Sequence, residues 1–322
     1  MKTIKTILYF LSHYEKKITF GLLILVIIMA VLEMIGVASI MPFIALVSRP
    51  SIIETNYYFK YLFNFFEFEK LKNFLFLIGI LVFFIFLFST IFKAFTTSLM
   101  LRYSRFREYS ITNKLVKAYL NQKYDFFLEK NSSDLTKMIL SEVGQIVGGV
   151  IIPLIEIFTQ FFIIVAIITL LIIVNPSITI IGGLSLSFLY LLIYLFFKKK
   201  LSYLAIQRKQ ANQIRFRALL ETFRAIKIIK LLGIENYYSK IFKNAAYNYA
   251  KSQSSANILA QIPKYFIEII AFGGLLILVL ILLKTHGNIQ TILPTLSLFA
   301  FAGYKLIPGI NGIYNNLVAF SA

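Results

Sequence analysis

Four ionisable side chains stand within or beside apolar runs long enough to cross a bilayer: Glu33, Glu156, Glu268 and Lys305. Charge in hydrocarbon is costly, so such residues usually face a bundle interior or a water-filled cavity. Glu156 has Gln160 one turn on, which gives its helix one polar face. Glu268 has Lys264 at i−4, and a local ion pair near the inner interface accounts for both. Glu33 finds no partner in its own helix, and Gly36 lies one turn on. It serves either an interhelix hydrogen bond or a translocation cavity. Lys305 either holds an anionic headgroup such as a pyrophosphate or snorkels to the interface. Glu33, Glu156, Gln160 and Lys305 are thus candidates to line a substrate cavity, where the chemistry is recognition.

Bond-making chemistry has no candidates. His13 and His286 are isolated, on opposite sides of the expected membrane, and form no metal site. With no cysteine there is no disulfide and no thiolate–metal chemistry. No Ser/His/Asp arrangement is present, and no catalytic, cofactor or metal residue is assigned. Asn131-Ser132-Ser133 fits a glycosylation acceptor, but the expected topology puts it in the cytoplasm. Gly148-Gly149, Gly182-Gly183 and Gly273-Gly274 sit in or beside apolar helices, where close packing is the expected reason.

The elements that must position these residues follow from composition. Hydrophobic residues make up 59% of the 322, which marks a polytopic membrane protein rather than a soluble domain. Runs of about twenty apolar residues predict six spans, at 18–47, 74–94, 150–174, 178–197, 266–283 and 289–307. The last is punctuated by Pro294, Gly303 and Pro308, which neighbouring helices can accommodate in a membrane. The first is too long for a signal-peptide core and stays in the mature protein. Residues 1–17 contain an amphipathic stretch, Ile4–Leu11, expected as an elbow on the membrane surface. The domain proper is 18–322.

The formal net charge of +19 invites a nucleic-acid partner, so its placement decides. With the N-terminus inside, 27 of the 33 Lys/Arg fall in cytoplasmic segments. That is the positive-inside bias, together with attraction to anionic lipid, and nucleic acid is excluded as a partner. The external segment 51–73 is dense in aromatics, from Tyr57 to Phe68, and predicts a short helix at the lipid–water boundary, either as an ordinary aromatic belt or as a contact for a lipid-borne substrate.

Inside, the connections are long. Lys198 to Ile262 carries thirteen Lys/Arg against two Glu, with one glycine and no proline. It reads as a continuation of the fourth and fifth spans into a cytoplasmic helical hairpin. The second and third spans share another, through Lys93–Gln122 and a return from Leu135. Outside, the 3–4 and 5–6 connections are only Asn175–Ser177 and Lys284–Asn288. The predicted fold is all-α: six transmembrane helices with two long cytoplasmic helical hairpins.

At the hairpin tips stand Asp125-Phe126-Phe127-Leu128-Glu129-Lys130-Asn131-Ser132-Ser133-Asp134-Leu135, with Glu142-Val143 after it, and Leu220-Glu221-Thr222-Phe223-Arg224-Ala225-Ile226-Lys227-Ile228-Ile229-Lys230, followed by Gly233 and Glu235. These resemble the two intracellular coupling regions of an ABC exporter transmembrane domain of the type I (type IV) exporter fold. Ser133 stands where that family often has glycine. Leu32-Glu33-Met34-Ile35-Gly36, Met41-Pro42-Phe43-Ile44 and Tyr304-Lys305-Leu306-Ile307-Pro308 look like the lipid-linked oligosaccharide flippase branch. The resemblance implies that Phe126, Phe127, Asn131, Asp134, Leu220, Glu221, Phe223, Arg224 and Ile226 couple the spans to an ATPase. It implies a nucleotide-binding domain as partner, a second copy in a homodimer, membrane lipids, and a multi-pass protein of the bacterial cytoplasmic membrane with a cytoplasmic N-terminus.

The chain has no G-x-x-x-x-G-K-[ST] phosphate loop, no Ser-Gly-Gly-Gln signature and no acidic Walker B strand, so ATP and Mg are expected on a nucleotide-binding domain and no cofactor on this chain. It ends where a half-transporter would continue into that domain, so a truncated or split half-transporter is expected. The expected function is ATP-driven export or flipping of a lipid or lipid-linked oligosaccharide. Alternatives are a peptide or drug exporter domain, a non-transporting remnant of a split gene, and an ion-coupled secondary flippase. The last needs a midplane cluster on discontinuous helices in inverted repeats, and no such repeat is visible.

Overall fold

The computed structural model describes residues 13–66, 68, 70–129, 135–136, 138–286 and 289–321. Among them every regular element is helical. The expected elbow at 1–17 lies almost wholly outside the described residues, as do Asn131 and Asp134.

Helix α1 (His13–Ala38) ends in a turn at Ser39 and resumes as α2 (Ile40–Ser48). Pro42 explains the break: it has no N–H for the Ala38 carbonyl, and its ring crowds that position. Ser39 closes the turn, donating its hydroxyl to the Gly36 carbonyl at 2.8 Å. Two short helices follow, α3 (Ile52–Thr55) and α4 (Tyr57–Phe65). Asn56 caps α4 by accepting from the Tyr58 N–H at 3.0 Å. Helix α5 (Leu71–Leu120) runs unbroken for 50 residues, about 75 Å. After α6 (Tyr124–Glu129) comes α7 (Met138–Val174), which contains two π turns, then α8 (Pro176–Arg224), α9 (Ile226–Leu232), α10 (Glu235–His286) and α11 (Ile289–Ser321). Helix α11 passes through Pro294 and Pro308 without a break, so the last element is longer than the predicted 289–307.

Among the described residues, four helices are long and apolar enough to cross a membrane: Lys17–Ser48, Leu71–Leu120, Met138–Val174 and Ile289–Leu317. They contain four of the six predicted spans. The other two, 178–197 and 266–283, fall within α8 and α10 and include side chains outside the described set. The chain is a multi-pass membrane protein.

Contacts divide it into two units. In the first (Met1–Ile181 with Ala271–Asn316), α1 packs along both α5 and α7. The core joins Met29, Ala30 and Val37 of α1 to Ile163, Ile167 and Leu171 of α7 and to Leu298 and Ala302 of α11. A second cluster, Leu46, Ile53, Phe74 and Ile78, takes in Phe43, Phe59, Phe63 and Phe68 and seats the aromatic segment on α2 and α5. Tyr57, Tyr58, Tyr61 and Phe65 remain exposed.

In the second unit (Gly182–Ile270 with Leu317–Ala322), α8 and α10 lie side by side. Residues 203–214 and 245–255 line one groove, and the Arg215 guanidinium sits 3.9 Å over the Tyr249 ring. Such a cation–π contact is worth about 0.5–1 kcal/mol at an exposed site.

Candidate functional site

The intramembrane charges are drawn together by helix α11. On an α-helix, residues three and four apart share a face, and Leu298, Ala302, Lys305, Gly309, Gly312 and Asn316 form such a stripe. Its upper part enters the core. Its polar members meet polar residues of other helices at two points, about 16 Å apart along α11 at 1.5 Å per residue.

At the first point, Lys305 Nζ lies 2.7 Å from one Glu33 carboxylate oxygen, and Lys93 Nζ of α5 lies 3.3 Å from the other. Glu33 is 1% exposed, while the Lys305 and Lys93 side chains are 12% and 38% exposed. Lys305 also lies 4.7 Å from the Phe86 ring centroid. Three helices therefore converge on one buried carboxylate, with two cations against one anion. Gly36 faces Ser89 of α5, where a Cβ would stand 3.7 Å away in ordinary contact. Glu33 thus makes ion pairs to two other helices. Lys305 turns toward Glu33, with its side chain 12% exposed.

Lys93 was not among the predicted site residues; it stood as the first residue of a cytoplasmic segment. A signal was available. Ser89, Lys93, Thr96, Met100, Ser104 and Arg107 recur at intervals of three and four on α5, and Ser89, Thr96, Ser104 and Arg107 are buried. A small-polar stripe on an apolar helix marks a face turned to other helices.

At the second point, the Asn316 amide donates to Glu156 Oε2 at 3.0 Å. Gln160 lies against Gly309 and Gly312, with its Oε1 only 3.1 Å from where a Cβ on Gly309 would stand. Glu156 and Gln160 thus share one polar face of α7, which α11 meets at Asn316, Gly309 and Gly312, while Glu156 itself remains exposed. The predicted Glu268–Lys264 pair involves a side chain outside the described set.

A third charged cluster ties the start of α1 to α5, beyond its most apolar stretch. Glu15 accepts from the Arg107 guanidinium and, at 3.1 Å, from the Ser110 hydroxyl. Lys114 Nζ approaches at 3.9 Å. The hydroxyls of Thr19 and Tyr103 meet at 2.6 Å beside it.

The residues expected to couple to an ATPase occupy two turn regions. Phe126 folds back onto Tyr119 of α5 in a stacked pair, centroids 5.9 Å apart, and meets Phe127 edge-on. Phe127 and Leu128 are exposed. In the other region Leu220, Glu221, Phe223 and Arg224 belong to the last turns of α8, and the chain bends at Ala225 before Ile226 opens α9. Leu220, Phe223, Ile228, Leu231 and Leu232 are all exposed, and Ile229 is buried. Gly233 ends α9 at φ 64°, a left-handed conformation that glycine adopts without strain. Lys230 donates to Glu235 at 2.9 Å. That bond, followed by one from the backbone at the start of α10, holds the Glu235 carboxyl below the ordinary carboxylate range.

The glycine pairs expected to serve close packing are Gly148-Gly149, Gly182-Gly183 and Gly273-Gly274. Among the described residues nothing lies within 4 Å of a Cβ at any of them.

Candidate spans joined by ion pairs, with helices of about fifty residues, define a helical multi-pass membrane domain. Residues 38–303 match the model of the family described as ABC transporter transmembrane region. The chain belongs to that family. Such a region implies pairing with a nucleotide-binding domain.

Proposed function

We propose that the chain is the membrane-spanning half of an ATP-driven exporter or flippase. Its substrate is amphipathic, a lipid or a lipid-linked oligosaccharide, carried across a bacterial cytoplasmic membrane. In this reading there are six spans, α5 with α7 and α8 with α10 form the two cytoplasmic hairpins, the N-terminus is inside, and two copies pair.

The observation that carries the reading is apolar exposure at the two turn regions. Phe127 and Leu128 in one, and Phe223, Leu231 and Leu232 in the other, stand exposed beyond helices that outrun a bilayer. Leu120 is 26 residues past the predicted end of its span, roughly 39 Å at 1.5 Å per residue. Exposed apolar groups this far from lipid mark a protein–protein contact. ATP-driven closure of two nucleotide modules would push on Phe126–Asp134 and Leu220–Lys230, and long rigid helices would pass the motion to the spans. Lys305 and Lys93, paired with Glu33, offer cationic groups for an anionic headgroup. An all-apolar groove of about 600 Å³, lined by Leu32, Ile35, Leu62, Phe66 and Phe84 among others, suits a hydrocarbon chain.

The test is substrate-stimulated ATP hydrolysis in proteoliposomes holding the chain with its nucleotide-binding partner. Lipid-linked saccharides, phospholipids, peptides and neutral drugs form the substrate arms. Stimulation by the lipids, lost at least tenfold in Phe127→Asp and Phe223→Asp, supports the reading. Stimulation by peptide or drug alone would replace the lipid substrate, and no coupling to ATP with any of them would defeat the proposal.

A further inference from the structure

The helical ladder is irregular in a short segment of α7. From Met138 to Glu142 and again from Val147 to Ile151 the helix runs as π turns, with a single α turn, Val143–Ile146, between. The Ile152 N–H reaches back five residues to the Val147 carbonyl. Regular α-helix begins only at Ile152, and the next residue is Pro153. Proline has no N–H, so the Gly148 carbonyl at i−5 lacks its donor in the π register and the Gly149 carbonyl at i−4 would lack it in the α register. Helical glycines cost stability relative to alanine, and a packing need is the usual reason to keep them. Among the described residues nothing lies within 4 Å of a Cβ at either position. Their neighbours, by contrast, are fixed: Val143 is 3% and Val147 0% exposed, and both turns pack on α5. Single π turns inside α-helices are rare and occur disproportionately at functional positions.

We propose that Val147–Pro153 is a flexure built into α7, at which the 138–146 arm bends relative to the 152–174 span. Three features converge on it: a lengthened turn, two glycines with open space at Cβ among the described residues, and a proline that removes one ladder bond. The 138–146 arm is the part nearer in sequence to the Phe126–Asp134 turn. The flexure therefore sets how much of any movement there arrives at Glu156 and Gln160, within two turns of it. The bend rests on backbone geometry alone; its part in transport rests on the exporter reading.

Amide hydrogen exchange on the full chain in lipid nanodiscs tests the bend without ATP or substrate. Wild-type amides of 147–152 should exchange at least tenfold faster than those of the α turn 143–146. Gly148→Ala/Gly149→Ala should slow them to the neighbouring rate. Pro153→Ala, which restores the missing N–H, should act in the same direction and serves if the double variant does not fold. Gly21→Ala, a helical glycine equally free of neighbours, should change nothing at 147–152. Equal rates across 143–152 in wild type, or rates that neither substitution slows, would overturn the flexure. In proteoliposomes with the nucleotide-binding partner, the stiffened variants should lose at least fivefold in transport while ATP hydrolysis stays within twofold. Wild-type transport in a variant with slowed exchange would strip the flexure of its role and leave the exporter reading intact.

Discussion

Replacing Glu33 with glutamine keeps the side chain's shape and removes the charge on which two lysines converge. Truncating one partner of a buried pair typically costs about 3–5 kcal/mol, because the other charge is left uncompensated. Two features lower that figure here. Lys305 keeps its contact with the Phe86 ring, worth about 0.5–2 kcal/mol, and Lys93, with 38% of its side chain exposed, can turn its head outward. The expected loss for Glu33→Gln is then about 2–3 kcal/mol, or roughly 30- to 150-fold in the unfolding equilibrium. The two lysines should not contribute equally. Their distances to Glu33, 2.7 and 3.3 Å, change the Coulomb energy by a factor of only about 1.2 at one dielectric constant. Exposure decides instead. Lys305→Met should cost about 2 kcal/mol, and Lys93→Met under about 1. Unfolding in mixed micelles, with double-mutant cycles for each pair, measures both. A Glu33→Gln protein within about 0.5 kcal/mol of wild type, or a Lys93→Met protein no more stable than Lys305→Met, would refute the reasoning.

Arg107→Ala leaves the Glu15 carboxylate with Ser110 and a Lys114 at 3.9 Å; a loss of about 2–3 kcal/mol is expected, partly recovered by adding Glu15→Gln, in the same unfolding assay. Gly309→Ala would put a Cβ 3.1 Å from Gln160 Oε1 and 3.4 Å from Ile164 Cγ1. Overpacking of that kind costs about 1–3 kcal/mol, and Gln160→Ala in the same chain should recover most of it. Gly233→Ala meets no neighbour but must hold φ 64°. The resulting strain of about 1–2 kcal/mol should loosen the α9–α10 turn, read as faster limited proteolysis at 225–235 with global unfolding unchanged.

The long helices could be read from the sequence because nothing interrupts them. Between Leu71 and Leu120 there is no proline and the lone glycine, Gly79, is near the start. The break at Ser39 was equally present in Pro42, four residues past Ala38, but a run of apolar residues conceals where a helix turns. Glu33, Glu156 and Lys305 were visible as charges out of place, since the cost of burying them does not depend on knowing the fold. Their partners were not. Lys93 sits at the edge of an apolar run, on a small-polar stripe that marks a face turned to other helices without saying which, and Asn316 lies beyond the predicted end of the last span. Partnership between helices is a property of packing, which periodicity only hints at. The glycine pairs are ambiguous for the same reason: a glycine kept for its backbone and one kept for close packing look alike in sequence.

The central claim is that this membrane domain moves an amphipathic lipid at the expense of ATP. Its most direct measurement is leaflet-resolved flipping of a fluorescent lipid-linked saccharide in proteoliposomes containing the chain and its nucleotide-binding partner. The account predicts that ATP increases the fraction reaching the opposite leaflet at least tenfold over ADP, and that Phe127→Asp or Phe223→Asp removes the increase. An equal distribution with ATP and ADP, in vesicles where the partner is shown to hydrolyse ATP, would contradict it.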